Sequence, residues 1–145
     1  LNHINKNIYD EAVAKNGSSV KVLYNKTYDL LKNSNAAIVT SGTATLETAL
    51  IGTPQIVCYA TNSLNMFLAK LFVKINFISL VNLILNKEVV KELIQSDFNK
   101  EMIKTELDLI LKGKRNQIQK DYKDLRNLLK GDNIETKIVN HIINN

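Results

Sequence analysis

The sequence holds one cysteine, Cys58, one proline, Pro54, and no tryptophan. A lone cysteine excludes a disulfide framework and any cysteine-based metal cluster. Cys58 sits in an apolar run and is expected as a small buried core residue. Arginine is scarce too: only Arg115 and Arg126 stand beside seventeen lysines. Nucleic-acid readers use arginine for base edges and aromatic rings for stacking. With 6% aromatic residues, no nucleic-acid partner is expected. His3 and His141 lie on polar helix faces without an acid–nucleophile arrangement nearby, so neither is expected to be catalytic. The sequence has no metal-ligand cluster, and no metal is expected. No apolar run reaches the roughly 18 residues of a membrane span, and no secretory signal pattern is visible.

What is present fits one domain. The 145 residues are 45% hydrophobic, enough for a real core. The net charge of +5 is spread along the chain and fits a mild attraction to anionic membrane surfaces. There is no initiator Met, and the chain starts inside a helical pattern (Leu1, Ile4, Ile8, Ala12). It therefore reads as a piece of something longer.

Strand and helix signals alternate, which predicts parallel βαβ units. A helix over 1–14 stops near Asn16-Gly17. A β-type run follows at Val20–Tyr24, then a short helix over 27–33 with Tyr28, Leu30 and Leu31 inward. Ala36–Thr40 reads as a strand covered on both faces. Ser41-Gly42-Thr43-Ala44 turns the chain into a helix over 45–51, closed by Gly52. Pro54 breaks it, and Gln55–Tyr59 is the next buried strand. Residues 63–74 form the most hydrophobic helix, with Leu64, Phe67, Leu68, Leu71 and Phe72 at helical spacing. Phe77–Leu80 reads as the last strand, 81–84 as a loop and Glu88–Ile94 as a short helix. Asp97 is expected to cap a helix with Ile103, Leu107, Ile110 and Leu111 on one face, ended by Gly113. Amphipathic helices over 114–130 (Ile118, Tyr122, Leu125, Leu129) and 133–143 follow. The sheet-forming part thus ends near residue 80.

The strand–turn–helix junction at Ser41–Ala44 carries the most chemistry. Ligands of an open parallel sheet bind at the carboxyl ends of its strands. The N–H groups that start a helix there attract phosphate. Gly42 admits close approach, while Ser41 and Thr43 add hydroxyl donors. Glu47, four residues after Thr43, lies on the same helix face and suits a ribose diol. The plainer alternative is a turn glycine, a Thr43 cap and a Glu47 that favours the helix dipole. A strict capping box would need an acid at Leu46. Asn82 lies on the same edge, as a ligand contact or an Asx-turn. Glu88 and Glu92 read as solvated helix charges. The 63–75 helix is either buried packing in a larger enzyme or a surface for acyl chains or membrane, with Lys70 and Lys74 near lipid phosphates.

Several stretches occur in a telling order: Ser41-Gly-Thr-Ala-Thr-Leu-Glu47, Gly52-Thr-Pro54, Leu68-Ala-Lys70, Ile78-Ser-Leu-Val-Asn-Leu83 and Glu88-Val-Val-Lys-Glu-Leu93. On these the chain resembles the C-terminal half of the lipid-A-disaccharide synthases, inverting glycosyltransferases of GT-B fold. The likeness runs from about residue 18 to 112, and more loosely to the end. It departs from the family's habit at Ala60, Ser63, Val81 and Leu85–Lys87.

The resemblance implies an α/β fold: a partial doubly wound, Rossmann-like parallel sheet followed by C-terminal helices. Residues 1–112 would be an incomplete UDP-sugar-binding domain, and 113–145 helices that cross back to an N-terminal domain. The implied reaction moves 2,3-diacylglucosamine from its UDP donor to 2,3-diacylglucosamine 1-phosphate, releasing UDP, with no cofactor and no metal. Ser41, Gly42, Thr43 and Ala44 would hold the diphosphate and Glu47 the ribose. Ser79, Leu80 and Asn82 would meet the nucleotide end. Leu64, Phe67, Leu68, Leu71 and Phe72 would face acyl chains or membrane, which places the family in the bacterial cytoplasm, peripheral on the inner membrane.

In the strand order 3-2-1-4-5-6, the 20–24 run matches strand 3 and the 36–40 run strand 4. The two would then pair directly or stand apart. Poor independent stability and no turnover by this chain alone are expected, with no catalytic residue in it. Another UDP-sugar transferase of this fold, a UDP-sugar epimerase and a non-catalytic nucleotide- or protein-binding α/β module remain the alternatives.

Overall fold

The computed structural model describes residues 6–15, 20–60 and 76–130. The expected helices over 63–74 and 133–143, with His3, His141 and the five apolar residues proposed to face lipid, lie outside the described residues. Among the described residues no helix is long and apolar enough to cross a membrane.

A three-stranded parallel sheet organises the chain, in the order β1 (Ala37–Thr40), β2 (Gln55–Tyr59), β3 (Lys91–Ile94). Register places Ala37 beside Gln55 and Ile56 beside Lys91. The fold is α/β, a partial Rossmann-like sheet. The central strand is buried from Gln55 to Cys58, as a run flanked on both sides and covered on both faces must be. Strand β1 is different. Its burial alternates, and Ile38 is 51% exposed. As an edge strand of the described sheet it covers one face only, so the expectation of two covered faces fails.

Helix α1 (Lys6–Lys15) is the first described element, and its Tyr9 meets Tyr24 edge-on at 6.3 Å. The 20–24 run is not a strand of the sheet; Val20 and Leu23 are exposed. Its β-type composition is not matched by pairing with any described strand, so composition alone does not make a strand. Strand β1 takes β2 as its neighbour instead of pairing with this run. In helix α2 (Thr27–Lys32) only Leu31 is buried, while Tyr28 and Leu30 are exposed. Its end is held by the Thr53 hydroxyl, which donates to Leu31 O at 2.7 Å.

Helix α3 (Thr43–Ile51) ends at Gly52 in the left-handed region, as a glycine stop should. The 77–80 run is not a strand. Ser79 caps helix α4 (Leu80–Leu85), its Oγ accepting the Asn82 N–H at 3.3 Å. A serine at this position ends extended backbone and starts a helix. The expected loop at 81–84 is therefore helical. The expected helix over 88–94 is instead a turn into β3 followed by β3 itself. Val89, Val90 and Leu93 are buried, and the Asn82 Oδ1 accepts the N–H groups of Val89 and Val90. Those donors are thereby held in a non-helical path, and the open edge of β2 takes the next residues. The sheet thus runs to residue 94, past the expected limit near 80.

Asn99, not Asp97, caps helix α5 (Lys100–Leu109), accepting from Met102 N at 2.9 Å. Asp97 lies in a preceding 3-10 turn. Gly113 does not end this helix. A π-type turn, Ile110–Lys114, carries the chain straight into α6 (Arg115–Leu128). The apolar stripe explains it. Eight residues separate Ile110 from Ile118, about 80° out of phase at 3.6 residues per turn; absorbing one residue in the wide turn brings them to within about 20°. Ile110, Ile118, Tyr122 and Leu125 are all buried, whereas Leu111 is exposed.

Helix α6 packs on this unit's own α3 and sheet. The Tyr122 ring is fully buried and its hydroxyl accepts from Gln55 Nε2 at 3.1 Å. Arg126 donates to Ala49 O at 3.2 Å, Gln119 to Gly52 O, and Lys87 pairs with Asp121 at 2.6 Å. Residues 115–128 therefore have an internal packing partner; 131–145 lie outside the described residues.

Candidate functional site at the carboxyl edge of the sheet

The carboxyl ends of the strands bring three segments together: the Ser41–Ala44 turn, the start of α4 and the side chain of Glu92 on β3. Gly42 is the hinge of the first. Its φ of 146° is a backbone conformation that suits glycine. A Cβ there would meet nothing within 4 Å, so the glycine is required by backbone conformation and not by crowding. Gly42 precedes α3 directly and has no side-chain oxygen to cap it. The first N–H groups of the helix have no acceptor within it, and Gly42, Thr43 and Ala44 are all exposed. Thr43 is the first helical residue, so the alternative of a Thr43 cap is removed.

Ser41 behaves differently from its neighbours. Its N–H donates to Cys58 O at 3.1 Å, and its hydroxyl donates to Ile78 O at 3.1 Å. Both donors of Ser41 are committed inside the protein. The exposed residues of the turn are Gly42, Thr43 and Ala44. Thr45 and Thr48 turn their hydroxyls back to Gly42 O and Ala44 O, which rigidifies the turn and the first coil of α3.

Glu47 lies one helical turn on, exposed, and its Oε2 accepts the Tyr28 hydroxyl at 3.3 Å. Glu47 lines a cleft of about 680 Å³ between α2, β1 and α3, together with Thr40, Ala44 and Thr48. The sequence pattern singled out Glu47 and left Tyr28 as a core residue. Its position on the solvent face of α2 is what overturns that.

The second segment is built around Asn82, which is fully buried. Its Nδ2 donates to Val90 O and to Glu92 Oε1, both at 2.8 Å; its Oδ1 accepts from Val89 and Val90. All four bonds a carboxamide can make are made inside the fold. Ser79 is also fully buried, with its Oγ turned to Asn82 N. Leu80 is half-buried. Glu92 is not a solvated helix charge. Its carboxylate accepts the N–H groups of Ile78 at 2.8 Å and Ser79 at 2.9 Å, as well as the Asn82 amide. On β3 Glu92 neighbours the buried Leu93 and points to the opposite face from it. Glu88 is exposed and paired with Lys91 at 2.9 Å.

Cys58 is buried and free, and burial pushes its thiol pKa up, away from the reactive thiolate. Among the described residues no group of three or more His, Cys, Asp or Glu is placed to hold a metal ion. At the opposite end of the sheet, Gln55, Glu106, Lys114 and Asp121 line a smaller cavity of about 240 Å³.

The strand–turn–helix junction on a parallel sheet is the arrangement that the quoted stretches lead one to expect, while the capped α4 stands where a strand and a loop were expected. Comparison with known proteins agrees. The family model described as lipid-A-disaccharide synthetase matches residues 2–142. A lipid-A-disaccharide synthase of Syntrophus aciditrophicus is 38% identical over 122 residues, covering 83% of this chain and 32% of that protein. Its counterpart in Wigglesworthia glossinidia brevipalpis is 42% identical over 96 residues, covering 66% of this chain and 25% of that protein. In a Sulfurihydrogenibium species the figures are 45% over 75 residues, 52% and 19%. The chain thus spans at most about a third of the length of these relatives. With nearly its whole length matched by one family model, the chain belongs to the lipid-A-disaccharide synthase family.

Proposed function

We propose that this chain supplies the nucleotide side of a glycosyltransferase that moves 2,3-diacylglucosamine from UDP to 2,3-diacylglucosamine 1-phosphate and releases UDP. One observation carries the reading. An uncapped helix N-terminus, with Gly42, Thr43 and Ala44 exposed, stands at the ligand edge of a parallel sheet with Glu47 one turn away. Backbone N–H groups at a helix start favour a diphosphate by direct donation and by the helix dipole. In this reading Gly42, Thr43 and Ala44 hold the diphosphate, Ser41 braces the turn, and Glu47 accepts the two ribose hydroxyls. Ser79, Leu80 and Asn82 form the wall behind the nucleotide end, with Ser79 and Asn82 acting by position.

Charge neutralisation at the departing diphosphate then comes from oriented donors, with no metal required. The apolar residues Leu64, Phe67, Leu68, Leu71 and Phe72 are proposed to meet acyl chains or the inner-membrane surface from the cytoplasmic side. The acceptor site and the base are proposed to lie in sequence that the longer relatives have beyond this match.

Titration with UDP by calorimetry tests the reading. Glu47→Ala is expected to weaken UDP by roughly 1–3 kcal/mol, the worth of hydrogen bonds to a charged acceptor. Unchanged UDP affinity removes the ribose assignment; no UDP binding by the unaltered chain removes the nucleotide reading.

A further inference from the structure

The peptide group joining Ile78 to Ser79 is held at both ends. Its carbonyl, Ile78 O, accepts the Ser41 hydroxyl at 3.1 Å. Its N–H, that of Ser79, donates to Glu92 Oε1 at 2.9 Å. The C=O and N–H of a trans peptide point in opposite directions, so Ser41 and Glu92 grip this unit from opposite sides. Glu92 Oε2 also takes the preceding N–H, that of Ile78, at 2.8 Å. Asn82 Nδ2 reaches Glu92 Oε1 at 2.8 Å and fixes the carboxylate from a third direction. A carboxylate acceptor polarises the peptide and makes Ile78 O a better acceptor for Ser41. The chain of bonds runs from β3 through Glu92 and one peptide to Ser41, the residue just before the Gly42 hinge.

We infer that Glu92 is a positioning residue of the nucleotide site, setting the separation between the Ser41–Ala44 turn and the Phe77–Leu80 segment through the Ile78–Ser79 peptide. The inference rests on the nucleotide reading above and adds a residue to it. Glu92 touches no ligand in this arrangement. Its effect falls on ligands that span both segments and spares those that use the turn alone. UDP spans both; inorganic pyrophosphate occupies the turn alone.

Glu92→Gln tests this with almost no change of shape. One carboxylate oxygen becomes an NH2 donor facing N–H groups, so at least one of Ile78 N–H, Ser79 N–H and Asn82 Nδ2 loses its acceptor. Calorimetric titrations of the wild-type and variant chains with UDP and with pyrophosphate are compared, with circular dichroism to establish folding. The expected result is a UDP affinity lowered by about tenfold, from the loss of one charge-assisted hydrogen bond, with pyrophosphate affinity held within about twofold. UDP affinity unchanged in a folded Glu92→Gln chain overturns the inference and leaves the nucleotide reading standing. Equal losses for UDP and pyrophosphate overturn it as well, because Glu92 would then support the fold generally. Failure of the wild-type chain to bind UDP overturns the reading and the inference together.

Discussion

Asn82 is the residue whose removal has the clearest consequence for stability. Its side chain is fully buried and bonds two backbone N–H groups, one carbonyl and the Glu92 carboxylate. Asn82→Ala leaves those groups buried without partners, and each such loss costs about 1–3 kcal/mol. The variant is expected to lose about 2–4 kcal/mol after partial relaxation, read as a lower urea midpoint with no nucleotide present. A stability loss of less than about 1 kcal/mol would show that the Asn82 bonds contribute little to the fold. Tyr122 makes the corresponding statement about pH. Burial raises its phenol pKa above the ordinary value, although Gln55 pulls the other way. The folded state therefore keeps a proton that the unfolded chain releases above about pH 10. Stability is complete below that pH and falls as pH rises through the window between the two pKa values. Tyr122→Phe is expected to flatten that alkaline loss, measured as denaturant midpoints across the alkaline range.

At the scale of elements, Gly113 and Gly52 are two helix-associated glycines that call for opposite predictions. Gly52 closes α3 with φ 101°, whereas Gly113 is not among the positive-φ residues and has open space where a Cβ would stand. Gly113→Ala is expected to stabilise the chain by about 0.5–1 kcal/mol through helix propensity. Gly52→Ala is expected to destabilise it by about 1 kcal/mol or more. Thermal melts of the two variants should move in opposite directions, and a drop in melting temperature for Gly113→Ala would mean that the π-type turn depends on the glycine.

These glycines also mark what was legible in the sequence. Local chemistry was readable where one residue type has one use. Pro54 and the buried run after it gave β2, and Ser41-Gly-Thr-Ala gave the turn. The stripe Ile118, Tyr122, Leu125 gave α6. It was not readable where an apolar pattern fits both periods. Val89, Val90 and Leu93 suit a short helix as well as a strand, and only the open edge of β2, with Asn82 holding two N–H groups, decides for the strand. Phe77–Leu80 and Gly113 fail for a related reason: a cap at Ser79 and a phase-correcting wide turn are consequences of packing partners far away in sequence.

At the scale of the whole molecule, the proposed nucleotide site stands on a sheet whose described edge strand, β1, leaves Ile38 and the adjoining cleft open. That arrangement bears directly on turnover. Glycosyl transfer needs the donor held, the acceptor hydroxyl brought in line and a base to take its proton. On the proposed reading, the described residues supply oriented donors for a diphosphate and a carboxylate for a ribose. The carboxylates near the turn have other duties. Glu92 accepts three N–H groups inside the fold, and Glu47 is the residue assigned to the ribose. Neither is left to act as a base. The chain incubated with UDP-2,3-diacylglucosamine and 2,3-diacylglucosamine 1-phosphate is therefore expected to bind UDP and yield no disaccharide, followed by mass spectrometry of the lipid extract. Disaccharide above the protein-free control would place a base and an acceptor site within these 145 residues. The lipid-facing alternative for residues 63–75 would then have to be weighed as part of that acceptor site.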